Sequence, residues 1–356
     1  MKRYFKNKKV LITGNTGFKG SWLSLWMHYY GAKVLGISNG YPSNPSNFKI
    51  LNLKNKIKNV NIDIRNQKKL QKKILSFQPD FIFHLAAQAL VADSYKSPRF
   101  TFETNTMGTL NLLESLKLLK KSCSVVLITS DKVYKNFEIK RGYTEEDILG
   151  GYDPYSASKA SAEITIQSYI KSFFPKNKKV KIGIARAGNV LGGGDWSNNR
   201  LIPDCVKSWT KNKSVLIRNP RSTRPWQHVL EAVHGYLVLG LKLKKNSTLH
   251  GQAFNFGPQV RNVKNVLEVI NFMKKNWKKV KFKLNSKKNK YYESSLLRLN
   301  SNKAKKLLNW KCILTFEETI LMITSWYKSF YSKNEKIIEM TNEQINQFEK
   351  LIRKRN

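Results

Sequence analysis

The chain has 356 residues, 41% of them hydrophobic and 12% aromatic, and its 65 Lys and Arg against 23 Asp and Glu give a formal net charge of +42. That length supports one large core or two modest ones, no apolar run reaches the roughly 18 residues of a membrane span, and Cys123, Cys205 and Cys312 are too scattered for a disulfide framework or a metal site, so a reducing cytoplasm and no metal are expected. The charge is mostly Lys dispersed among Asn and Ile; a nucleic-acid surface would favour Arg clusters and interleaved aromatics, so we expect no nucleic-acid partner and read the charge as a diffuse field that draws in an anionic nucleotide.

Residues 1–10 are basic but run directly into a strand, without the apolar core of a signal peptide. Val10-Leu11-Ile12-Thr13 reads as that buried strand. Gly14-Asn15-Thr16-Gly17-Phe18-Lys19-Gly20 follows it and opens a helix over 22–30. Glycines in this place let the backbone turn tightly and approach a pyrophosphate at the helix N-terminus. The spacing is G-x-x-G-x-x-G. A second strand, 33–37, ends at Ser38-Asn39-Gly40, with neither an acid for an adenosine ribose nor an arginine for a 2′-phosphate, which favours NAD over NADP. After the third short run, Val60-Asn61-Ile62, Asp63 and Ile64 are candidates for the adenine side, with Asp63 as a helix N-cap the competing reading. Strands follow at 81–85, 125–129 and 180–185, with helices over 100–120 and 155–174. Strict alternation of strand and helix implies an α/β fold with a Rossmann-like, doubly wound parallel sheet.

Beyond residue 190 the pattern loosens. Gly192-Gly193-Gly194 and 218–225 are loops, and 202–209, 229–241, 263–277 and 315–331 read as helices. Residues 333–356 read as a terminal surface helix or a loose tail. The expected division is an NAD-binding domain over 1–190 and a smaller C-terminal α/β substrate lobe over 191–356, with segments returning to the first domain.

The chemistry concentrates between residues 129 and 159. Tyr155 and Lys159 stand at i and i+4 on one helix face. A neighbouring lysine cation and a nicotinamide ring are expected to lower the tyrosine pKa, making Tyr155 a base toward a sugar hydroxyl, with Ser130 bridging to the substrate oxygen. Arg224, with Arg218 and Arg221 near it, suits a diphosphate because the guanidinium forks onto paired oxygens. His228 either caps a helix or touches the nucleotide.

Several segments carry a family resemblance: His84-Leu85-Ala86-Ala87-Gln88, Thr104-Asn105 through Gly108-Thr109, Gly151-Tyr152-Asp153-Pro154-Tyr155-Ser156-Ala157-Ser158-Lys159, Ala185-Arg186-Ala187-Gly188-Asn189-Val190, and Thr223-Arg224-Pro225-Trp226-Gln227-His228-Val229. With the glycine turn they resemble the extended short-chain dehydrogenases/reductases, and within them the nucleotide-sugar 4,6-dehydratases of the CDP-glucose branch, where Thr-Ser-Asp-Lys stands at the strand end ahead of the Tyr-Lys pair. The resemblance implies an NAD-dependent internal redox cycle on a nucleotide sugar, with Asp131 as acid and Lys132 as the C5 base. It further implies cofactor contacts from Leu85, Ala86, Ala87 and Asn105, substrate contacts from Gln88, Asn189 and Arg200, and a homodimer packed through 100–120 and 155–174. Asn15 stands where the family often has His, and Ala92 where it often has Arg. A 4-epimerase, or a dehydratase of a dTDP-, GDP- or UDP-sugar, is the alternative; an epimerase has no use for the Asp131–Lys132 pair. An idle basic Rossmann protein that holds RNA is the reading from another class, and it predicts a damaged Tyr-Lys pair.

Overall fold

Seven strands form one parallel sheet: β1 (Lys9–Thr13), β2 (Lys33–Ser38), β3 (Lys58–Asn61), β4 (Phe81–His84), β5 (Cys123–Ile128), β6 (Val180–Ala187) and β7 (Ala253–Phe256), in the spatial order β7-β6-β5-β4-β1-β2-β3. This computed structural model describes residues 1–175, 179–217, 219–258, 264–278, 280–284, 296–332 and 336–355. The order reverses at β1 and β4, and the carboxyl ends of those strands flank the crevice where ligands bind in open α/β sheets. β1 is central, and Val10, Leu11 and Ile12 are wholly buried. Val10 and Ile12 face a core shared with the Phe18–Tyr29 and Val229–Lys245 helices, whereas Leu11 faces the other core, under Gln67–Phe77, Gly108–Lys117 and Pro154–Phe173. Burial on both faces is why these strands read as unbroken apolar runs.

The doubly wound parallel sheet is as expected, and two local features differ. β7 was not apparent in the sequence; it is four residues long, Ala-Phe-Asn-Phe, and acquires strand geometry by pairing with β6, Ala253 opposite Ile184 and Phe256 opposite Ala187. The helix expected over 100–120 is three pieces: Pro98–Phe102, a π-helical turn at Glu103–Met107, and Gly108–Lys117. A π turn adds a residue to the helical circuit and re-aims its side chains, and here it carries Asn105.

Among the described residues from 190 onward, three short strand pairs form: Val190–Leu191 with Gln227–His228, Thr223–Arg224 with Lys264–Asn265, and Val215–Ile217 with Phe282–Leu284. Gly193 lets this part close on the sheet domain. A Cβ there would meet the Trp326 ring at 2.1 Å, and the Gly193 carbonyl accepts from Trp22 Nε1 at 2.9 Å. Of the two forms expected for the C-terminal segment the helix holds, and it is docked rather than loose. Ile337–Arg355 is a helix with Ile345 and Phe348 fully buried. It lies against the Phe18–Tyr29 helix, where Trp26 stacks edge-on to Phe348 and donates to Glu349 at 2.9 Å. No helix among the described residues is long and apolar enough to cross a membrane.

Candidate active site

Gly14 has φ +72°, and a Cβ on it would sit 2.7 Å from the Ala86 nitrogen; at Gly20 a Cβ would sit 2.1 Å from the Gly14 carbonyl oxygen. The turn therefore closes on itself and against the Leu85-Ala86-Ala87 segment at the end of β4, leaving a shallow backbone cradle at a helix N-terminus with no acid in its first turn. That cradle and its polarity fit a pyrophosphate. Thr16 Oγ1 donates to the Gly40 carbonyl at 2.8 Å, tying the turn to the end of β2. The Asn15 side chain points inward, fully buried, and donates to Asn59 at 2.8 Å beside Gly36. Phe18 packs beneath Gly192.

Asp63 is not the helix cap. Asn66 caps Gln67–Phe77, accepting from the Lys69 amide at 3.0 Å. The Asp63 carboxylate instead lies at the end of β2, forked by Arg65 (2.6 and 3.0 Å) and bonded to Asn39 at 2.9 Å. Its pKa is held below the usual range, first by the Arg65 hydrogen bonds. Ile64 is buried against Gly108, where a Cβ would meet its Cδ1 at 2.5 Å.

Asn105 braces the site. Its amide accepts from Gln88 N (2.9 Å) and donates to Gln88 O (3.0 Å) and Ser158 Oγ (2.9 Å), joining the β4 loop to the Tyr155 helix. The Gln88 side chain folds back onto Leu90.

The Pro154–Phe173 helix starts where its sequence dictates. Asp153 accepts from Ser156 N at 3.0 Å and Ser156 Oγ at 2.5 Å, and Pro154 takes the first helical position. Tyr155, Lys159 and Glu163 then fall on one face, toward the end of β5. Lys159 reaches the Ile128 carbonyl at 3.5 Å. Burial, then the Lys19 ammonium, push Lys159 down to about 7, opposed by Glu163. Burial pushes Tyr155 up to about 12, partly offset by its hydrogen bond with Ser130. The expected lowering of the Tyr155 pKa is thus not realised by the protein alone, because desolvation of the phenolate outweighs its partners.

At the end of β5, Ser130 caps a single 3-10 turn, Asp131–Val133, accepting from Lys132 N at 3.2 Å and donating to Asp131 Oδ1 at 2.9 Å. Asp131 is 3% exposed and its Oδ2 has no hydrogen-bond partner among the described residues. This carboxylate lies over Gly188, so close that a Cβ there would be 1.9 Å from Oδ2. Lys132 is partly exposed and lines an open cleft with Asp153, Ser156, Gly151 and Leu297. Arg200 donates to Asp195 Oδ2 at 3.0 Å, and its charge bears on both Tyr155 and Lys19. Lys19 is pushed down to about 8, by burial first and then by Arg200. The sequence reading placed Lys19 only in the phosphate turn; in the structure its ammonium also faces the chemical centre. Asn189 is left-handed (φ +39°) and half-buried, with its carbonyl accepting from Gln227 N at 3.3 Å.

His228 is remote from solvent and caps Val229–Lys245, its Nδ1 accepting from Leu230 N at 3.3 Å and its ring edge-on to Trp22. Burial pushes it down to about 3. The capping reading of His228 holds. Arg224 is 7% exposed in the Thr223–Arg224 strand, Arg221 is exposed, and Arg218 lies outside the described residues.

Sequence reasoning passed over two charged residues behind this centre. Glu163 and Arg186 form a fully buried ion pair. The available signal was the four-residue spacing of Tyr155, Lys159 and Glu163.

Comparison with known proteins agrees with this geometry. The family model described as GDP-mannose 4,6 dehydratase matches residues 11–323. A CDP-glucose 4,6-dehydratase of Salmonella typhimurium is 42% identical over 341 residues, 95% of each chain. Among solved structures, the epimerase Mth375 of Methanothermobacter thermautotrophicus superposes with a TM-score of 0.80 at 22% identity, covering 94% of this chain and 96% of its own. The dTDP-glucose 4,6-dehydratase of Bacillus anthracis, solved in complex with NAD, gives 0.73 at 24% identity, covering 92% and 98%. These two likenesses concern the fold. With the glycine cradle, the Tyr155–Lys159 pair and near-complete coverage in sequence, the chain belongs to the GDP-mannose 4,6 dehydratase family of extended short-chain dehydrogenases/reductases.

Proposed function

We propose that this protein is a CDP-glucose 4,6-dehydratase, a hydro-lyase that converts CDP-D-glucose to CDP-4-dehydro-6-deoxy-D-glucose. The observation that carries the proposal is the Asp131–Lys132 pair at the end of β5, beside Tyr155 and Lys159, in a chain 42% identical to a CDP-glucose 4,6-dehydratase over 95% of its length. A 4-epimerase would leave that pair without a task.

The Gly14–Gly20 turn, Asp63, Ile64, Leu85, Ala86 and Ala87 would hold NAD, with Tyr155 and Lys159 at its reactive end and Asn105 fixing the Gln88 loop beside it. When bound, NAD supplies a hydride acceptor at C4, the hydride returned to C6, and a positive ring charge near Tyr155. Tyr155, through Ser130, takes the proton of the sugar 4-hydroxyl. The 4-ketone so formed acidifies the C5 hydrogen. Lys132 removes that proton, Asp131 protonates the leaving 6-hydroxyl so that water departs, and Lys132 returns its proton to C5 as C6 becomes the methyl group. Arg200, Asn189 and Arg224, with Arg218, are assigned to the nucleotide diphosphate, where forked guanidinium contacts suit paired oxygens.

In this reading residues 1–190 are the NAD-binding domain and 191–356 are mainly the substrate lobe, with β7, the Val229–Lys245 helix and the C-terminal helix returning to the first. Two chains pair through Pro98–Lys117 and Pro154–Phe173, whose exposed apolar residues include Met107 (48%), Ile164 (59%) and Phe173 (41%). The setting is the cytoplasm, where separate thiols stay reduced, and the product feeds deoxysugar synthesis for a cell-surface polysaccharide such as a lipopolysaccharide O-antigen.

The test is incubation with CDP-, dTDP-, UDP- and GDP-glucose while the 4-keto product is followed, together with Lys132→Ala on C5-deuterated substrate. Product from CDP-glucose, abolished in the variant, is expected. Product from dTDP-glucose but not CDP-glucose sinks the assignment, and normal turnover of Lys132→Ala removes Lys132 as the base.

A further inference from the structure

A buried charge pair lies directly behind the segment that carries Ser130, Asp131 and Lys132, and the proposed reaction gives it no role. Glu163 and Arg186 are 0% and 1% exposed. Arg186 forks onto the carboxylate, Nε at 2.9 Å and Nη2 at 2.5 Å. Taking both charges out of water costs about as much as their attraction returns, so stability is a poor reason to keep such a pair. Its connections give a better one.

Thr129 Oγ1 donates to Glu163 Oε1 at 2.5 Å. Arg186 Nη1 donates to the Tyr134 hydroxyl at 2.8 Å and to the Glu145 carbonyl at 3.2 Å. Thr129 and Tyr134 are the residues immediately before and after Ser130–Val133, so one ion pair holds both ends of that turn. Glu163 also sits one helical turn beyond Lys159, on the face that carries Tyr155. Two residues past Arg186, Gly188 forms the floor under the Asp131 carboxylate. From Tyr134 the network continues outward: its hydroxyl donates to Asn255 Oδ1 at 2.7 Å, and Asn255 Nδ2 donates to the Tyr143 carbonyl at 2.8 Å and the Asn300 carbonyl at 3.2 Å. The turn is thereby anchored to β6, to β7 and to the Pro154–Phe173 helix together.

We propose that the Glu163–Arg186 pair, through Thr129 and Tyr134, is a positioning clamp that sets the dehydration pair Asp131–Lys132 in place against the hydride pair Tyr155–Lys159. The inference rests on the dehydratase reading above. Oxidation at C4 and loss of water across C5–C6 happen on one bound sugar, and they need two sets of groups at a fixed offset. Tyr155 and Lys159 sit on a rigid helix; Asp131 and Lys132 sit on a single turn that has little rigidity of its own. The clamp transfers the helix's position to the turn. Glu163 and Arg186 touch no reacting atom, so they are positioning residues.

Thr129→Val and Tyr134→Phe test this without breaking the ion pair. Each removes one hydroxyl and nearly conserves volume, so the fold and the charge pair survive. Each variant, loaded with NAD and given the sugar nucleotide that the wild type turns over, is followed for 4-keto-6-deoxy product, for the absorbance of reduced nicotinamide, and for deuterium taken up at C5 in heavy water. The expected result is a fall of about tenfold or more in product turnover, because displacement of a reacting group by a fraction of an ångström is amplified in rate. KM stays within about threefold, and reduced nicotinamide accumulates during turnover, since C4 oxidation now outruns loss of water. A purely structural role would lower both steps in proportion and accumulate nothing. That outcome, or wild-type kinetics in both variants, overturns the clamp. A wild type that forms no 4-keto-6-deoxy product from any sugar nucleotide overturns the dehydratase reading itself, and that failure is seen before any variant is made.

Discussion

Replacing Gly188 with alanine isolates the acid half of the proposed dehydration. Gly188 does not have a positive φ, so alanine is conformationally allowed and the perturbation is steric alone. The new Cβ would lie 1.9 Å from Asp131 Oδ2 and 2.3 Å from Cγ, where ordinary contact begins at 3.4 Å. The carboxylate must therefore retreat by about 1.5 Å, the difference between contact and the available space. It has little room to do so. Asp131 is 3% exposed, and Ser130 Oγ holds its other oxygen at 2.9 Å. Strain of this kind costs about 1–3 kcal/mol of stability, and a misplacement of about 1 Å costs about 100-fold in rate. Gly188→Ala should melt modestly earlier and lose about two orders of magnitude in kcat for the 4-keto-6-deoxy product. The atoms nearest the new Cβ all belong to Asp131, so oxidation at C4, seen as reduced nicotinamide in a single turnover, should fall much less than product formation. A variant with turnover within about threefold of wild type would refute the reasoning, because the carboxylate would then be dispensable or its placement unimportant.

Two further outcomes follow from the same contacts. Lys159 carries its charge below about 7 and loses it above, held down by burial and by Lys19. Lys19→Met removes the opposing charge, so the Lys159 pKa rises and the alkaline limb of the kcat/KM profile moves to higher pH; an unmoved or acid-shifted limb refutes that coupling. Phe348→Ala empties a fully buried site between Trp26 and His234. It should cost about 3–5 kcal/mol in denaturant unfolding while kcat/KM of the folded enzyme stays within about threefold, and no shift in the midpoint would mean that the C-terminal helix does not help hold the fold.

The sequence alone determined the parts whose physics is local. Strict strand–helix alternation required a parallel sheet with both faces covered, and Val10-Leu11-Ile12 could be buried nowhere else. The glycines at 14, 17 and 20 marked a tight turn, in which Gly14 and Gly20 leave no room for a Cβ, and the spacing of Tyr155 and Lys159 put both on one helix face. Asp153-Pro154 announced where that helix begins. Other features arose from contacts between segments far apart in the chain. β7 is a strand because β6 pairs with it, and Asn105 reaches Gln88 because a π turn re-aims it. The C-terminal helix docks because Trp26, over 300 residues earlier, offers it both a ring and an N–H donor. The electrostatics of the site were decided the same way. Lys19 was legible as part of a phosphate turn, but only packing brought its charge to bear on Lys159, and burial, ahead of every neighbour, raised Tyr155 against the lowering by Ser130 and Arg200. Glu163 and Arg186 are 23 residues apart in sequence and 2.5 Å apart in space; a charge pair of that kind has no period to read, because its cost and its use both depend on the water that the rest of the fold excludes.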